Sequence, residues 1–222
     1  MRSAAAVLFD LDGLLVDSEP LWTRAEVELA ASLGHVWDPA LKAAIAGTRL
    51  ELAVPTILTH YGIEPDADTV SAASEFLLAR MAELFATDLP TRPGAVQLAD
   101  AIRAAGVPIA LVSSSYRRLV DAALAGLGEH RFDVTVAGDE VTHGKPDPEP
   151  YLRAAAGLGV RAGDCVVLED APAGVASGEA AGAIVVAVPD VVPIAPTPLR
   201  PVVATLAGID LDWLLGLPWT LR

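Results

Sequence analysis

The sequence predicts an α/β protein in which a doubly wound parallel sheet carries an inserted all-helical cap domain. From about residue 88 onwards, short apolar runs alternate with helical segments that end at glycines. Such alternation is typical of a parallel sheet covered by helices on both faces. Residues 18–87 show helical periodicity alone and directly follow a first apolar run. We therefore expect an α/β core from residues 1–17 and 88–222, with a helical cap from residues 18–87.

The composition is that of a folded, strongly acidic protein. Its 222 residues include 15 basic and 29 acidic side chains, a net charge of −14, which argues against a nucleic-acid partner because phosphate backbones would be repelled. No apolar run approaches the ~20 residues of a spanning helix, so no membrane partner is expected. A single cysteine, Cys165, excludes an intrachain disulfide. We expect a cytoplasmic protein, and nothing in the sequence requires more than a monomer.

Apolar spacing predicts the elements of both parts. In the cap, apolar residues recur every four positions from Leu21 to Leu33, which indicates a helix at 19–33. The other cap helices are predicted at 39–46, 50–61 and 69–85, and Pro55 should kink the third helix of the cap or mark a late start. After a first strand at Val7 to Phe9, the core strands are predicted at 107–112, 132–137, 165–168 and 183–188. The core helices are predicted at 95–105, 117–127, 151–158, 171–181 and near 206–215.

Polar, chemically active side chains follow the core strands. They are Asp10, Asp12, Ser113, Lys145, Glu169 and Asp170. Because parallel strands bring their carboxyl ends to one edge of the sheet, we expect these groups to meet there. Taken singly, Ser115 and Asp170 could equally cap the helices that follow them. Four strand ends that together supply two carboxylate pairs, a hydroxyl and an amine favour a chemical site instead.

Crowded carboxylates of this kind need a cation, and an all-oxygen ligand set suits Mg²⁺, which commonly shares its coordination sphere with a substrate phosphate. A carboxylate beside the metal can attack phosphorus, and a second carboxyl two residues further on can carry the proton. The lysine and the serine hydroxyl can hold the phosphoryl oxygens and stabilise their charge. The residues therefore indicate phosphoryl-transfer chemistry.

Four segments resemble, in order, the signature motifs of the haloacid dehalogenase superfamily. These segments are Asp10-Leu11-Asp12-Gly13, Ser113, Gly144-Lys145-Pro146-Asp147-Pro148 and Leu168-Glu169-Asp170-Ala171-Pro172-Ala173-Gly174. The inserted helical block resembles the small cap of the phosphatase and β-phosphoglucomutase branch. Within it, Asp17-Ser18-Glu19-Pro20-Leu21-Trp22 and Gly47-Thr48-Arg49 are most similar to bacterial phosphatases of 2-deoxyglucose 6-phosphate and hexitol phosphates.

The resemblance implies a role for each motif residue. Asp10 would be the nucleophile that becomes aspartyl phosphate, Asp12 the general acid and base, and Ser113 and Lys145 the ligands of the phosphoryl group. The implied Mg²⁺ ligands are Asp10, the backbone carbonyl of Asp12, Asp170, and Glu169 either directly or through water. The candidate substrate-contacting residues are Arg49, Ser114 and Trp22. Arg49 could equally be a solvated surface residue, and Trp22 a packed aromatic.

The resemblance thus implies a Mg²⁺-dependent phosphatase of a small phosphorylated metabolite, a sugar or polyol phosphate. Two alternatives remain: a phosphosugar mutase like β-phosphoglucomutase, and a non-catalytic binding domain of the same fold. β-Phosphoglucomutases typically carry a histidine at the position of Trp22 and a lysine where this chain has Ala46. Both departures favour the phosphatase.

Overall fold

The computed structural model describes residues 4–45, 48–128 and 131–217. The chain divides into two compact units. One unit comprises Met1–Asp17 with Leu89–Arg222, and the other comprises Ser18–Asp88. The chain therefore leaves the first unit after Asp17 and returns to it at Leu89.

The second unit consists of helices in its described part. They are α1 (Glu19–Ser32), α2 (Pro39–Ile45), α3 (Leu50–His60) and α4 (Ala67–Thr87). Pro55 lies inside α3, so it does not mark a late helix start. Ala46, which stands where β-phosphoglucomutases carry a lysine, and Gly47, of the segment Gly47-Thr48-Arg49, lie outside the described residues. In the described ranges, no helix combines the length and apolarity needed to cross a membrane.

The first unit contains the predicted parallel sheet. Its strands are β1 (Ala6–Phe9), β2 (Ile109–Val112), β3 (Val134–Val136), β4 (Cys165–Glu169) and β5 (Ile184–Ala187). They pair in the order β3-β2-β1-β4-β5, and every pairing is parallel. β1 is fully buried at the centre. This architecture confirms the predicted α/β class.

Helices α5 to α9 accompany the sheet. They are α5 (Ala95–Ala104), α6 (Arg117–Leu127), α7 (Glu149–Gly157), α8 (Pro172–Ala180) and α9 (Leu211–Leu215). α7 begins two residues earlier than predicted, because Pro150 suits a first helical turn, where its missing N–H costs no hydrogen bond. The early start places Tyr151 inside the first turn of the helix.

The register of the sheet determines which residues become neighbours. Phe9 is paired with Leu111 of β2 and with Leu168 of β4. Asp10, the residue directly after β1, is therefore level with the ends of both flanking strands. The strand order reverses beside β1, because β2 and β3 follow on one side of it and β4 and β5 on the other. This is the position where α/β folds form their ligand crevice.

Cys165 begins β4 and is fully buried. Burial chiefly, and the negative charge of Asp164 secondarily, raise the pKa of its thiol to about 12. The reactive thiolate is consequently scarce at neutral pH. We expect a thiol-specific reagent to leave the native protein unlabelled over minutes and to label one thiol per chain in denaturant, as counted by absorbance. Rapid labelling of the native protein would contradict this prediction.

Candidate active site

A tight turn after β1 holds the first two carboxylates. The backbone N–H of Asp10 still donates to Leu168 O at 3.1 Å, so Asp10 is anchored to β4. Gly13 follows with a φ of 84°, and its N–H donates to Val16 O at 2.8 Å. A Cβ atom on Gly13 would overlap the Asp170 carboxylate. Glycine therefore satisfies both the left-handed backbone and the close approach of Asp170.

Lys145 joins carboxylates from two strands. Its Nζ atom donates to Asp10 Oδ1 at 2.5 Å, to Glu169 Oε1 at 2.6 Å and to Val112 O at 2.9 Å. These three acceptors match the three N–H groups of the ammonium. Burial acts to lower the pKa of Lys145, but the charges of Asp10 and Glu169 outweigh it and raise the pKa above its usual value. The side chain, only 6% exposed, is therefore a permanent cation.

Loop contacts keep Lys145 in this position. Glu149 accepts the backbone N–H groups of Thr142 and His143, each at 2.8 Å. Ser177 of α8 donates its hydroxyl to Asp147 O at 2.5 Å. Hydrogen bonds therefore hold the loop at residues 142–148 both before and after Lys145. The exposed ring of His143 lies 3.2 Å from Glu149, which accounts for this histidine without a role in chemistry.

Three carboxylates surround a common point. Asp10, Glu169 and Asp170 each offer an oxygen, and these oxygens lie within 4.8 Å of one another. Burial is the main cause that raises the pKa of Asp10 well above its usual value. The charge of Lys145 acts to lower this pKa, and the neighbouring carboxylates act to raise it further. Burial, followed by the charge of Glu169, raises the pKa of Asp170 to about 8. One lysine does not balance the negative charge of three carboxylates, and every side-chain ligand that the cluster offers is an oxygen. The cluster therefore fits a hard divalent cation such as Mg²⁺.

Asp12 is bound by the loop that follows β2. Its Oδ2 atom accepts hydrogen bonds from Ser115 Oγ at 2.8 Å and from Ser113 Oγ at 3.2 Å. The Ser115 N–H donates in turn to Ser113 Oγ at 2.9 Å. Ser115 is therefore a site residue that the sequence suggested only as a helix cap. Its position two residues after Ser113, in the same hydroxyl-rich run, was the available signal.

The helix-cap alternative is wrong for both residues to which it applied. The N-cap positions of α6 and α8 are held by Tyr116 and Ala171, and neither helix has a side-chain cap there. Ser115 instead binds Asp12. Asp170 contributes its carboxylate to the acidic cluster.

The structure thus brings together Asp10, Lys145, Glu169 and Asp170, and it links Asp12 to Ser113. The three predicted substrate-contacting residues do not share these contacts. The Ser114 side chain is exposed, while its backbone packs against Gly138 so closely that a Cβ there would overlap the Ser114 carbonyl. Trp22 is half-buried in α1, and Arg49 is exposed just before α3, both in the helical unit.

Tyr151 was missed by the sequence analysis, which treated it only as part of a helix. It is fully buried in α7, and its hydroxyl donates to Glu169 Oε1 at 2.5 Å. Its ring centroid lies 5.0 Å from Lys145 Nζ. Burial, then the charge of Glu169, raises the pKa of Tyr151 far above its usual value, so the phenol keeps its proton and donates it. The only signal in the sequence was a tyrosine at the start of the helix predicted after the Lys145 motif.

Gly174 of α8 leaves room for the Glu169 carboxylate. A Cβ atom at this position would overlap both carboxylate oxygens of Glu169. We expect Gly174→Ala to displace Glu169 and to lower the free energy of unfolding by about 1–3 kcal/mol, as overpacking does. Denaturant unfolding would measure this loss. The matched control is Ala176→Ser, which adds one heavy atom at an exposed position of the same helix. Equal stability of the two variants would contradict the prediction.

A parallel sheet whose carboxyl edge carries an acidic cluster, a buried lysine and a serine-bound aspartate is typical of the active site of an α/β enzyme. The family model of haloacid dehalogenase-like hydrolases matches residues 4–182. The chain belongs to the haloacid dehalogenase-like hydrolase family.

Several phosphatases are similar to this chain. Hexitol phosphatase A of Escherichia coli is 38% identical over 182 residues, which cover 82% of this chain and 81% of that protein. The bifunctional riboflavin kinase/FMN phosphatase of Arabidopsis thaliana is 34% identical over 191 residues. That match covers 85% of this chain but 49% of the plant protein, so the chain spans about half of its length.

Solved structures agree with this assignment. CbbY from Rhodobacter sphaeroides in complex with phosphate superposes with a TM-score of 0.83 at 27% identity, covering 95% of this chain and 99% of that one. The similar structures also include β-phosphoglucomutase-like proteins. With its family and its named phosphatase relatives, the chain is a phosphoric monoester hydrolase.

Proposed function

We propose that this protein is a Mg²⁺-dependent phosphatase that hydrolyses a small sugar or polyol phosphate through an aspartyl-phosphate intermediate. The observation that carries the proposal is the buried bridge from Lys145 to Asp10 and Glu169, with Asp170 beside it. The similarity to a hexitol phosphatase supports the substrate class.

Asp10 is the proposed nucleophile because it directly follows the central strand and is held by Lys145. One of its carboxylate oxygens forms a bond to phosphorus while the bond from phosphorus to the ester oxygen of the substrate breaks. Lys145, as a permanent cation, and the Ser113 hydroxyl bind the phosphoryl oxygens and stabilise their charge. This binding requires the Ser113 hydroxyl to exchange Asp12 for a phosphoryl oxygen. It also requires Lys145 to exchange one of its three present acceptors for a phosphoryl oxygen.

Asp12 is the proposed proton carrier. In its protonated form it donates to the departing ester oxygen, which leaves as an alcohol. As a carboxylate it then removes a proton from water, and the water oxygen attacks phosphorus to release phosphate and regenerate Asp10. The hydrogen bond from Ser115 supports a single orientation of this side chain between the two steps.

Asp10, Glu169, Asp170 and the backbone carbonyl of Asp12 are the proposed Mg²⁺ ligands. When bound, the cation would neutralise the acidic cluster and shield the charge of the incoming phosphate. Arg49, Trp22 and Ser114 are the proposed substrate-contacting residues, with Arg49 offering a cation for polar or charged substrate oxygens.

Phosphate release from a panel of sugar, polyol and nucleotide monophosphates, with MgCl₂ or with EDTA, tests the proposal. We expect sugar or polyol phosphates to be hydrolysed fastest, and only with MgCl₂. Equal rates in EDTA would contradict the metal requirement, and faster hydrolysis of nucleotides would contradict the substrate class. Absence of turnover on the whole panel would favour a non-catalytic domain.

A phosphosugar mutase would give a different product. Glucose 1-phosphate supplied with glucose 1,6-bisphosphate would be converted to glucose 6-phosphate without release of phosphate. A phosphatase gives free phosphate and glucose instead, so a coupled assay for each product separates the two activities.

A further inference from the structure

We propose that Tyr151 is a positioning residue that orients Glu169 toward the Mg²⁺ site and thereby makes the site selective for Mg²⁺ over Ca²⁺. The proposal rests on the proposed function, because it needs the acidic cluster to bind a divalent cation. Tyr151 is outside the signature motifs, and it reaches the cluster only through Glu169.

Donors reach the Glu169 carboxylate from three parts of the chain. Its Oε1 atom accepts from the Tyr151 hydroxyl at 2.5 Å and from Lys145 Nζ at 2.6 Å. Its Oε2 atom accepts from the backbone N–H of Asp170 at 3.2 Å. Gly174 packs against the same carboxylate and leaves no space for even a methyl group. A carboxylate that is 1% exposed and held from these directions has one available orientation.

This orientation restricts how Glu169 can bind a cation. Two donors, Lys145 and Tyr151, occupy Oε1. Glu169 would therefore offer Oε2 to a cation, directly or through water, and would be hindered from binding it through both oxygens. Ca²⁺ readily takes bidentate carboxylates and tolerates irregular coordination, whereas Mg²⁺ requires near-ideal octahedral geometry. Holding Oε1 away from the cation therefore favours Mg²⁺.

The substitution Tyr151→Phe removes this one hydrogen bond. The phenylalanine ring keeps the buried volume and its place near Lys145 Nζ, 5.0 Å from the ring centroid in the present structure. Titration calorimetry with MgCl₂ and with CaCl₂ measures both affinities without any need for turnover. We expect the dissociation constant for Mg²⁺ to rise about 10–100-fold, as is usual when a residue that orients a metal ligand is removed. The constant for Ca²⁺ should change less.

Tyr61→Phe is the matched control. The Tyr61 hydroxyl is hydrogen-bonded as well, accepting from Asp38 N and donating to Val36 O, both at 3.1 Å, but it lies in the helical unit. This variant should bind both cations like the wild-type protein. Thermal unfolding in EDTA, followed by circular dichroism, compares the folding of all three proteins without metal.

Distinct outcomes would overturn the proposal. An unchanged Mg²⁺ affinity in Tyr151→Phe would show that the hydroxyl does not position Glu169. Equal weakening of Mg²⁺ and Ca²⁺, or loss of the folding transition in EDTA, would show a general structural role instead. Failure of the wild-type protein to bind Mg²⁺ would contradict the proposed function itself and remove the basis of this inference.

Discussion

Asp10→Asn should lower phosphatase turnover by on the order of 10⁴-fold, as removal of a nucleophile does in enzymes with covalent intermediates. The amide has nearly the shape of the carboxylate, and its oxygen can still accept from Lys145 Nζ, but it cannot form a stable bond to phosphorus. The rate of release of an aryl alcohol from an aryl phosphate in MgCl₂ measures the effect.

Asp100→Asn is the control for this experiment. Asp100 is a half-exposed carboxylate of α5 that pairs with Arg131 at 2.8 Å, so the same chemical change occurs away from the acidic cluster. It should leave turnover within about twofold of wild type, since surface substitutions change little. Thermal unfolding of both variants separates lost chemistry from lost structure. Wild-type turnover in a folded Asp10→Asn protein would exclude Asp10 as the nucleophile.

Lys145→Met should damage both catalysis and stability. Turnover should fall about 10²–10³-fold, because a charge that stabilises the phosphoryl oxygens is lost. In EDTA, the free energy of unfolding should fall by about 3–5 kcal/mol, because Asp10 and Glu169 lose their buried cationic partner. Denaturant unfolding in EDTA measures the second effect. Excess MgCl₂ should restore part of the stability, since the cation replaces some of the missing positive charge.

Lys42→Met is the matched control for the lysine. Lys42 also bridges two carboxylates, Glu19 at 2.9 Å and Glu26 at 3.1 Å, but its side chain is 25% exposed. Its removal should destabilise the protein less, because solvent screens a partly exposed pair. If Lys42→Met and Lys145→Met lower the free energy of unfolding equally, the prediction that burial makes the loss of Lys145 more destabilising would be contradicted.

Most of the secondary structure could be predicted from the sequence. Apolar runs and glycine stops indicated the five strands of the described sheet and the order in which helices alternate with them, because these signals are local. The predictions erred chiefly at element ends: the strand predicted at 132–137 spans only Val134–Val136, and α7 starts early. Ends depend on the hydrogen bonds that each residue finds in the fold, which spacing does not reveal.

The candidate site was predicted in part. Asp10, Asp12 and Lys145 were identifiable because each follows a strand or belongs to a motif. Ser115 and Tyr151 were not, because a serine before a helix and a tyrosine inside one have common structural explanations. Only their partners distinguish them, and those partners are Asp12 for Ser115 and Glu169 for Tyr151.

The sequence by itself determined the α/β class, the helical insertion and the types of chemical group at the strand ends, because strand and helix periods and motif spacing are properties of neighbouring residues. Only the tertiary structure decided which groups meet. Lys145 and Asp10 are 135 positions apart, and Ser115 and Asp12 are 103 apart. The parallel register of β1 with β2 and β4 brings these pairs together. Because Asp10 and Lys145 are buried at that edge, the pKa of each depends on the charge of the other.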